Sequence, residues 1–193
     1  MNRMFLPALP DAAWRSAITI VGCAAVLAGC ASMSRQECLQ ADWYAVGERD
    51  AGRGYPMNRM ADHAEACAEF GVRPSAREYE AGYKAGIPLY CNDAVGWSEG
   101  RAGGRYQGIC PPDLERGFLR GYRLGREIHQ LGQRLENLDR RMDYVAEELA
   151  DPGLSKERRR ELRQTYRDLR REVRYLERSL ADARADARRQ GYY

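Results

Sequence analysis

This chain of 193 residues has few of the motif spacings on which common enzymes are built, and little histidine. It holds two histidines, His63 and His129, and few serines. Gly96-Trp97-Ser98-Glu99-Gly100 has the G-x-S-x-G spacing, but no strand is expected before it, so no nucleophile elbow is expected; S-x-x-K and H-E-x-x-H are absent. No C-x-x-C spacing occurs, and two histidines add little, so no metal site is expected. Gly52-Arg53-Gly54-Tyr55 and Gly103-Gly104-Arg105 lack the G-x-G-x-x-G spacing and a preceding strand, so neither should cradle a phosphate. Val, Ile and Thr do not gather into runs, so strands are not expected. Asp50 could pair with Arg49, Arg53 or Glu48, but nothing in the sequence selects such a pair. The expectation is a chain that is not an enzyme and uses no cofactor.

A bilayer-spanning run is also missing. The apolar stretch 17–27 is too short, since a span needs roughly 20 apolar residues. That stretch has the form of an export signal instead. Arg3 and Arg15 lie before it, offset by Asp11, and the small residues Ala28 and Gly29 follow it. Leu27-Ala28-Gly29-Cys30 then reads as a lipobox, the cleavage and lipidation signal of a bacterial lipoprotein. An ordinary secretory signal that happens to carry a cysteine is the other reading. On the lipobox reading, residues 1–29 are removed, Cys30 carries the lipid (palmitate among its acyl chains), and 164 residues remain. Ala31 rather than Asp follows, which by enterobacteria-like sorting sends the chain to the periplasmic face of the outer membrane. A diacyl group with an N-linked acyl chain anchors far more firmly than one myristoyl chain. From Cys30 to Ser34 the chain can extend at most about 14 Å, which would hold the following domain close to the bilayer.

Of the six cysteines, Cys23 would leave with the signal and Cys30 would carry lipid. Cys38, Cys67, Cys91 and Cys110 remain, an even number suited to two disulfides in an oxidising compartment. Four cysteines allow three pairings. Helix geometry favours one of them. The capping box Ser34-Arg35-Gln36-Glu37 predicts a helix starting before Cys38 and running to about Gly52. A second helix is predicted from about Asn58 to Phe70, ended by Gly71. In an antiparallel hairpin the start of one helix lies beside the end of the other, which brings Cys38 to Cys67 and leaves Cys91 for Cys110.

One pattern recurs four times: an aromatic, Gly three residues later, and a small residue four after that. The copies are Tyr44-Gly47-Ala51, Tyr79-Gly82-Gly86, Trp97-Gly100-Gly104 and Phe118-Gly121-Gly125. Steps of three and four put these residues on one helix face. Glycine inside a helix costs roughly 1 kcal/mol relative to alanine, so its repetition needs a compensating contact. Close helix crossings with aromatic rings over glycine grooves would supply it. The third copy fits a helix or a loop around Gly103-Gly104 equally well.

Further on, Ile128, Leu131, Leu135, Leu138, Met142, Val145 and Leu149 form an unbroken heptad seam. Asp151-Pro152-Gly153 stops it and Ser155 can cap a new helix. A second seam follows at Leu162, Tyr166, Leu169, Val173, Leu176, Leu180, Ala183 and Ala187. Arms of similar length, 113–150 and 155–190, predict an antiparallel hairpin closed on itself, with a self-associating coiled coil as the alternative. In the antiparallel register, the alanines ending the second arm would face Gly117, Gly121 and Gly125. The outer faces are rich in both charges, and Lys156-Glu157-Arg158-Arg159-Arg160 is the densest basic run. A solvated face with i,i+4 ion pairs is the plain reading, a polyanionic envelope partner the sharper one, and nucleic acid is not expected in a periplasm.

The set Asp42-Trp43-Tyr44-x-x-Gly47-x-x-Asp50-x-Gly52, Cys67, Tyr79-x-x-Gly82-x-x-x-Gly86, Leu89-Tyr90-Cys91 and Tyr106-x-Gly108-x-Cys110-Pro111 resembles a proteobacterial lipoprotein family catalogued as a domain of unknown function. The resemblance covers about residues 30–125. Asp50-Ala51 stands where that family usually has Asp-Gly. The resemblance implies a lipid-anchored envelope protein, supplies no catalytic residue, and makes the hairpin a C-terminal elaboration.

The expected architecture is all-α. A signal peptide at 1–29 precedes a disulfide-stapled, glycine-packed helical domain at 30–111 and an antiparallel coiled-coil hairpin at 112–193. The expected function is a non-enzymatic outer-membrane scaffold, held to the membrane by lipid on Cys30 and meeting a protein partner through the hairpin. A binding module for peptidoglycan or lipopolysaccharide is the alternative, and an enzyme acting on the cell wall the third reading.

Overall fold

The computed structural model describes residues 32–193; the signal segment, Cys30 and Ala31 lie outside the described residues. Among the described residues 76 % are helical and none is in a strand. The helices are α1 (Arg35–Leu39), α2 (Trp43–Gly52), α3 (Arg59–Ala68), α4 (Ala76–Tyr90), α5 (Asp93–Ala102), α6 (Pro112–Ala150) and α7 (Lys156–Arg189). Contacts divide the chain into two compact units. One is Met1–Ala41 with Met60–Pro74, described from Ser32 onward; the other is Asp42–Arg59 with Ser75–Tyr193.

In the first unit the capping box forms as the sequence predicts. Ser34 Oγ accepts the Glu37 amide at 3.3 Å, and Glu37 Oε2 accepts the Ser34 amide at 2.7 Å. The helix it starts does not reach Gly52. It ends at Leu39, because Asp42 caps a new helix by accepting the Ala45 amide at 3.1 Å. Gly71 follows α3 with φ +70°, a conformation that favours glycine. Cys38 and Cys67 are joined, with Cα atoms 5.4 Å apart. His63, expected on a polar surface, is 2 % exposed, and its Nδ1 lies 2.9 Å from Ser32 Oγ.

The second unit is built on two helix pairs, α2 with α4 and α5 with α6. Each pair meets through bare backbone. A Cβ on Gly82 would fall on the Tyr44 carbonyl, on Gly86 on the Glu48 carbonyl, and on Gly47 on the Tyr79 carbonyl. In the other pair, Gly121 meets the carbonyl of Asp93, Gly125 that of Trp97, Gly96 that of Phe118 and Gly100 that of Tyr122. A shift of 49 residues carries Tyr44, Gly47 and Glu48 onto Asp93, Gly96 and Trp97. A shift of 39 carries Tyr79, Gly82 and Gly86 onto Phe118, Gly121 and Gly125. The unit therefore contains one glycine-locked helix pair twice. Cys91–Cys110, with Cα atoms 5.5 Å apart, closes the segment from the end of α4 to the start of α6.

This geometry corrects the third and first motif copies. The contact glycines of α5 are Gly96 and Gly100, while Gly103 caps the helix with φ +76° and Gly104 lies beyond it. Tyr44 is 42 % exposed; its carbonyl makes the contact, and its ring does not cover a groove. Tyr79 and Phe118, by contrast, are wholly buried.

Helix α6 has two working faces. Its glycine face meets α5, and its Leu/Ile face meets α7. Leu131, Leu138 and Val145 pack with Leu162, Leu169, Leu176 and Leu180, with Leu135, Met142 and Val173 partly buried alongside. Gly121 and Gly125 thus lie against α5 rather than the alanines of α7, and a Cβ on Gly117 would meet nothing within 4 Å. Ala183 and Ala187 instead belong to the same cluster as Trp97 and Leu124. The C-terminal Tyr192 stacks on Trp97 at 4.7 Å and donates its hydroxyl to Asp93 at 2.7 Å. Because α6 serves both α5 and α7, the contacts put the glycine-locked pairs and the hairpin in one unit.

Candidate functional site

The one buried carboxylate among the described residues is Asp50, 3 % exposed. It stands in α2 one residue before the fully buried Ala51 and faces α4. Tyr79 donates its hydroxyl to Asp50 Oδ2 at 2.9 Å, and Arg59 Nε lies 3.8 Å from Oδ1. The Arg59 guanidinium sits 3.8 Å over the Tyr55 ring. Tyr83, one turn after Tyr79, donates to the Tyr55 carbonyl at 2.7 Å. Of the neighbours the sequence left open for Asp50, Arg49, Arg53 and Glu48, none is the phenol or guanidinium that meets it. Its partners come from segments further along the chain, which local spacing cannot reveal.

Burial raises the Tyr79 phenol well above its ordinary value, and the hydrogen bond to Asp50 adds to the rise. Burial pushes Tyr83 up to about 12, with the Asp50 charge as the lesser cause. Both phenols therefore stay protonated at neutral pH and act as donors. A carboxylate held by a phenol and a guanidinium is an occupied acceptor, and the arrangement binds α2 to α4. At the equivalent places in the second pair, Glu99 replaces Asp50 and Phe118 replaces Tyr79, so this hydroxyl-to-carboxylate link belongs to the first pair alone.

The second pair has a different polar network, which ties down the loop before α6. Tyr106 donates to Glu115 Oε1 at 3.0 Å and accepts the Cys110 amide at 3.0 Å. Tyr122 donates to the Gly104 carbonyl at 2.9 Å, and Arg126 reaches that carbonyl at 3.0 Å. His129, expected to be exposed, is half-buried, with Nδ1 3.1 Å from the Arg101 carbonyl. The two histidines are thus in different units, each beside its own partner. No group of three or more His, Cys, Asp or Glu side chains gathers in metal-binding geometry among the described residues.

Nearly every residue of the sequence motif now has a position and a duty. Asp42 caps α2, Trp43 is buried, Tyr44 offers its carbonyl to Gly82, Gly47 admits the Tyr79 carbonyl, and Asp50 accepts from Tyr79. Gly108 takes φ +70° two residues before the Cys110 disulfide. Residues 42–127 match a family model described as a protein of unknown function, DUF2799. The match is the one the motif residues lead one to expect. It begins at the cap of α2 and ends within α6, so the DUF2799 segment coincides with the two glycine-locked pairs. Nothing among curated proteins or solved structures matches the chain.

Proposed function

We propose that the chain is a lipid-anchored protein of the periplasmic face of the outer membrane, acting without catalysis as an attachment scaffold. The observation that carries this reading is where the motif side chains go. The DUF2799 residues make caps, backbone contacts and buried hydrogen bonds that join helices, and the phenols among them are held as donors. Residues of that kind support a rigid platform more readily than a reaction. The lipobox ending in Cys30 and the two disulfides support an oxidising compartment beside a membrane.

The hairpin supports the attachment role. Helix α6 is about 58 Å long and α7 about 50 Å. Beyond the stretch of α6 that meets α5, the two helices pack on each other alone, leaving long exposed faces available to a partner. The anchor is tested by metabolic palmitate labelling. Label should enter the wild-type protein and be absent from Cys30→Ser; label in both, or in neither, sinks the anchor. The scaffold is tested by crosslinking in intact envelopes with a shortened hairpin lacking the two-part segment 133–146 and 160–173, which keeps the turn at 151–153 and the glycine contacts between helices. Partners recovered equally with and without that segment would contradict the docking role.

A further inference from the structure

Helix α7 sorts its charges by direction. At 100° per residue, an arc of about 100° along residues 156–178 contains eight positions. These are Lys156, Arg160, Arg163, Arg167, Arg170, Arg171, Arg174 and Arg178. All eight are basic and all are exposed. The acids Glu157, Glu161, Asp168 and Glu172 share a different arc, Glu177 stands just past the Arg170 edge of the basic one, and the seam leucines hold a third. Only Arg171 in the basic arc has an ion pair, with Asp168; the other seven have none among the described residues. A helix that merely needed solubility through i,i+4 pairs would intersperse the signs. Here most of the basic groups are separated from the acids that could neutralise them.

The row is straight and convex. It extends about 33 Å over 22 residue steps, on the back of a helix whose front is clamped to α6. A single phosphate would meet only one or two of these side chains. A flat sheet of phosphates would meet the whole row at once. We infer that the basic back of α7 docks side-on against an anionic phospholipid bilayer, with guanidinium groups on the lipid phosphates. The docking deepens the proposed function by giving one hairpin face a membrane partner. It needs no lipid on Cys30, so it can fail while the anchor stands, and the reverse.

The test uses residues 31–193 with both disulfides closed, a segment that holds every helix described above. Vesicles of phosphatidylcholine, with and without phosphatidylglycerol, are sedimented with the protein at physiological salt. Two variants carry the same change in charge. One is Arg160→Glu, Arg167→Glu, Arg174→Glu and Arg178→Glu together. The control is Arg123→Glu, Arg134→Glu, Arg140→Glu and Arg141→Glu, all exposed on α6. Circular dichroism first confirms unchanged helix content. The expected result is binding only with phosphatidylglycerol present, weakened on the order of 100-fold by the α7 variant and by less than about tenfold in the control. No binding by the wild type, equal binding to neutral vesicles, or equal losses in both variants would overturn the proposal. So would capture of soluble polyphosphate as tight and as arginine-dependent as capture of the vesicles, since that would show recognition of a phosphate chain rather than a bilayer.

Discussion

Replacing Gly82 by alanine tests the glycine lock at its tightest point. A Cβ there would lie well inside contact distance of the Tyr44 carbonyl oxygen and against the Glu48 amide. Both are helix backbone, so neither can rotate away. Overpacking of this kind costs typically 1–3 kcal/mol, and backbone on backbone belongs at the upper end, about 3 kcal/mol. Alanine returns roughly 1 kcal/mol by its higher helix propensity. The net loss should be about 2 kcal/mol, a fall in Tm of roughly 4–8 °C for a domain of this size. Gly117 supplies the contrast. It lies inside α6, and a Cβ on it would meet nothing within 4 Å. Gly117→Ala gains propensity without a clash and should raise Tm by roughly 2–4 °C. The assay is calorimetry of both variants beside the parent. Opposite signs support the lock; a Gly82→Ala variant as stable as the parent would refute it.

Tyr79→Phe leaves the buried Asp50 without its phenol donor and should cost roughly 1.5–3 kcal/mol in urea unfolding, whereas Tyr44→Phe, at an exposed ring, should cost almost nothing. Replacing Cys91 and Cys110 together by serine frees a segment of 19 residues' separation and should lower stability by about 3 kcal/mol on loop entropy, again read by urea midpoint. Alkali should act through Tyr83 and Tyr79, whose folded pKa values lie above the unfolded value near 10. A phenol of raised pKa gives stability that is complete below pH 10 and is lost as pH climbs through about 12. Thermal melts from pH 8 upward should therefore hold steady to about pH 10 and then decline. Ultraviolet difference spectra should show these phenols ionising after the exposed tyrosines, and simultaneous ionisation would contradict their burial.

The parts of the fold that were legible are those set by local periodicity. The heptad steps give both hairpin arms and the turn at Pro152-Gly153, because a seam repeats within one helix and names its own face. The capping box at Ser34 is equally local, whereas Cys38–Cys67 forms although the single helix from Ser34 to Gly52 that suggested it is split at Leu39. The break before α2 is also present in the sequence, since Asp42 is a good cap, but the apolar spacing continues across it and a cap residue alone does not end a helix. What periodicity cannot name is the neighbour across a face. The spacing of Gly121 and Gly125 marks a stripe, and only tertiary structure assigns it to α5 rather than to α7. For the same reason Asp50 finds Tyr79 and Arg59 rather than its near neighbours, and His63 is buried within a pattern that looks polar. The two-fold duplication is also legible in the sequence. Its signal is the pair of shifts, 49 and 39 residues, that differ because the connection within the first pair includes α3.

The central claim of attachment at a membrane rests on one cysteine, and the intact mass of the protein extracted from bacterial membranes tests it most directly. The mature chain should begin at Cys30, carry a diacylglyceryl group and an N-linked acyl chain, and be lighter by four hydrogens for its two disulfides. A chain that begins elsewhere, or an unmodified Cys30, would contradict it.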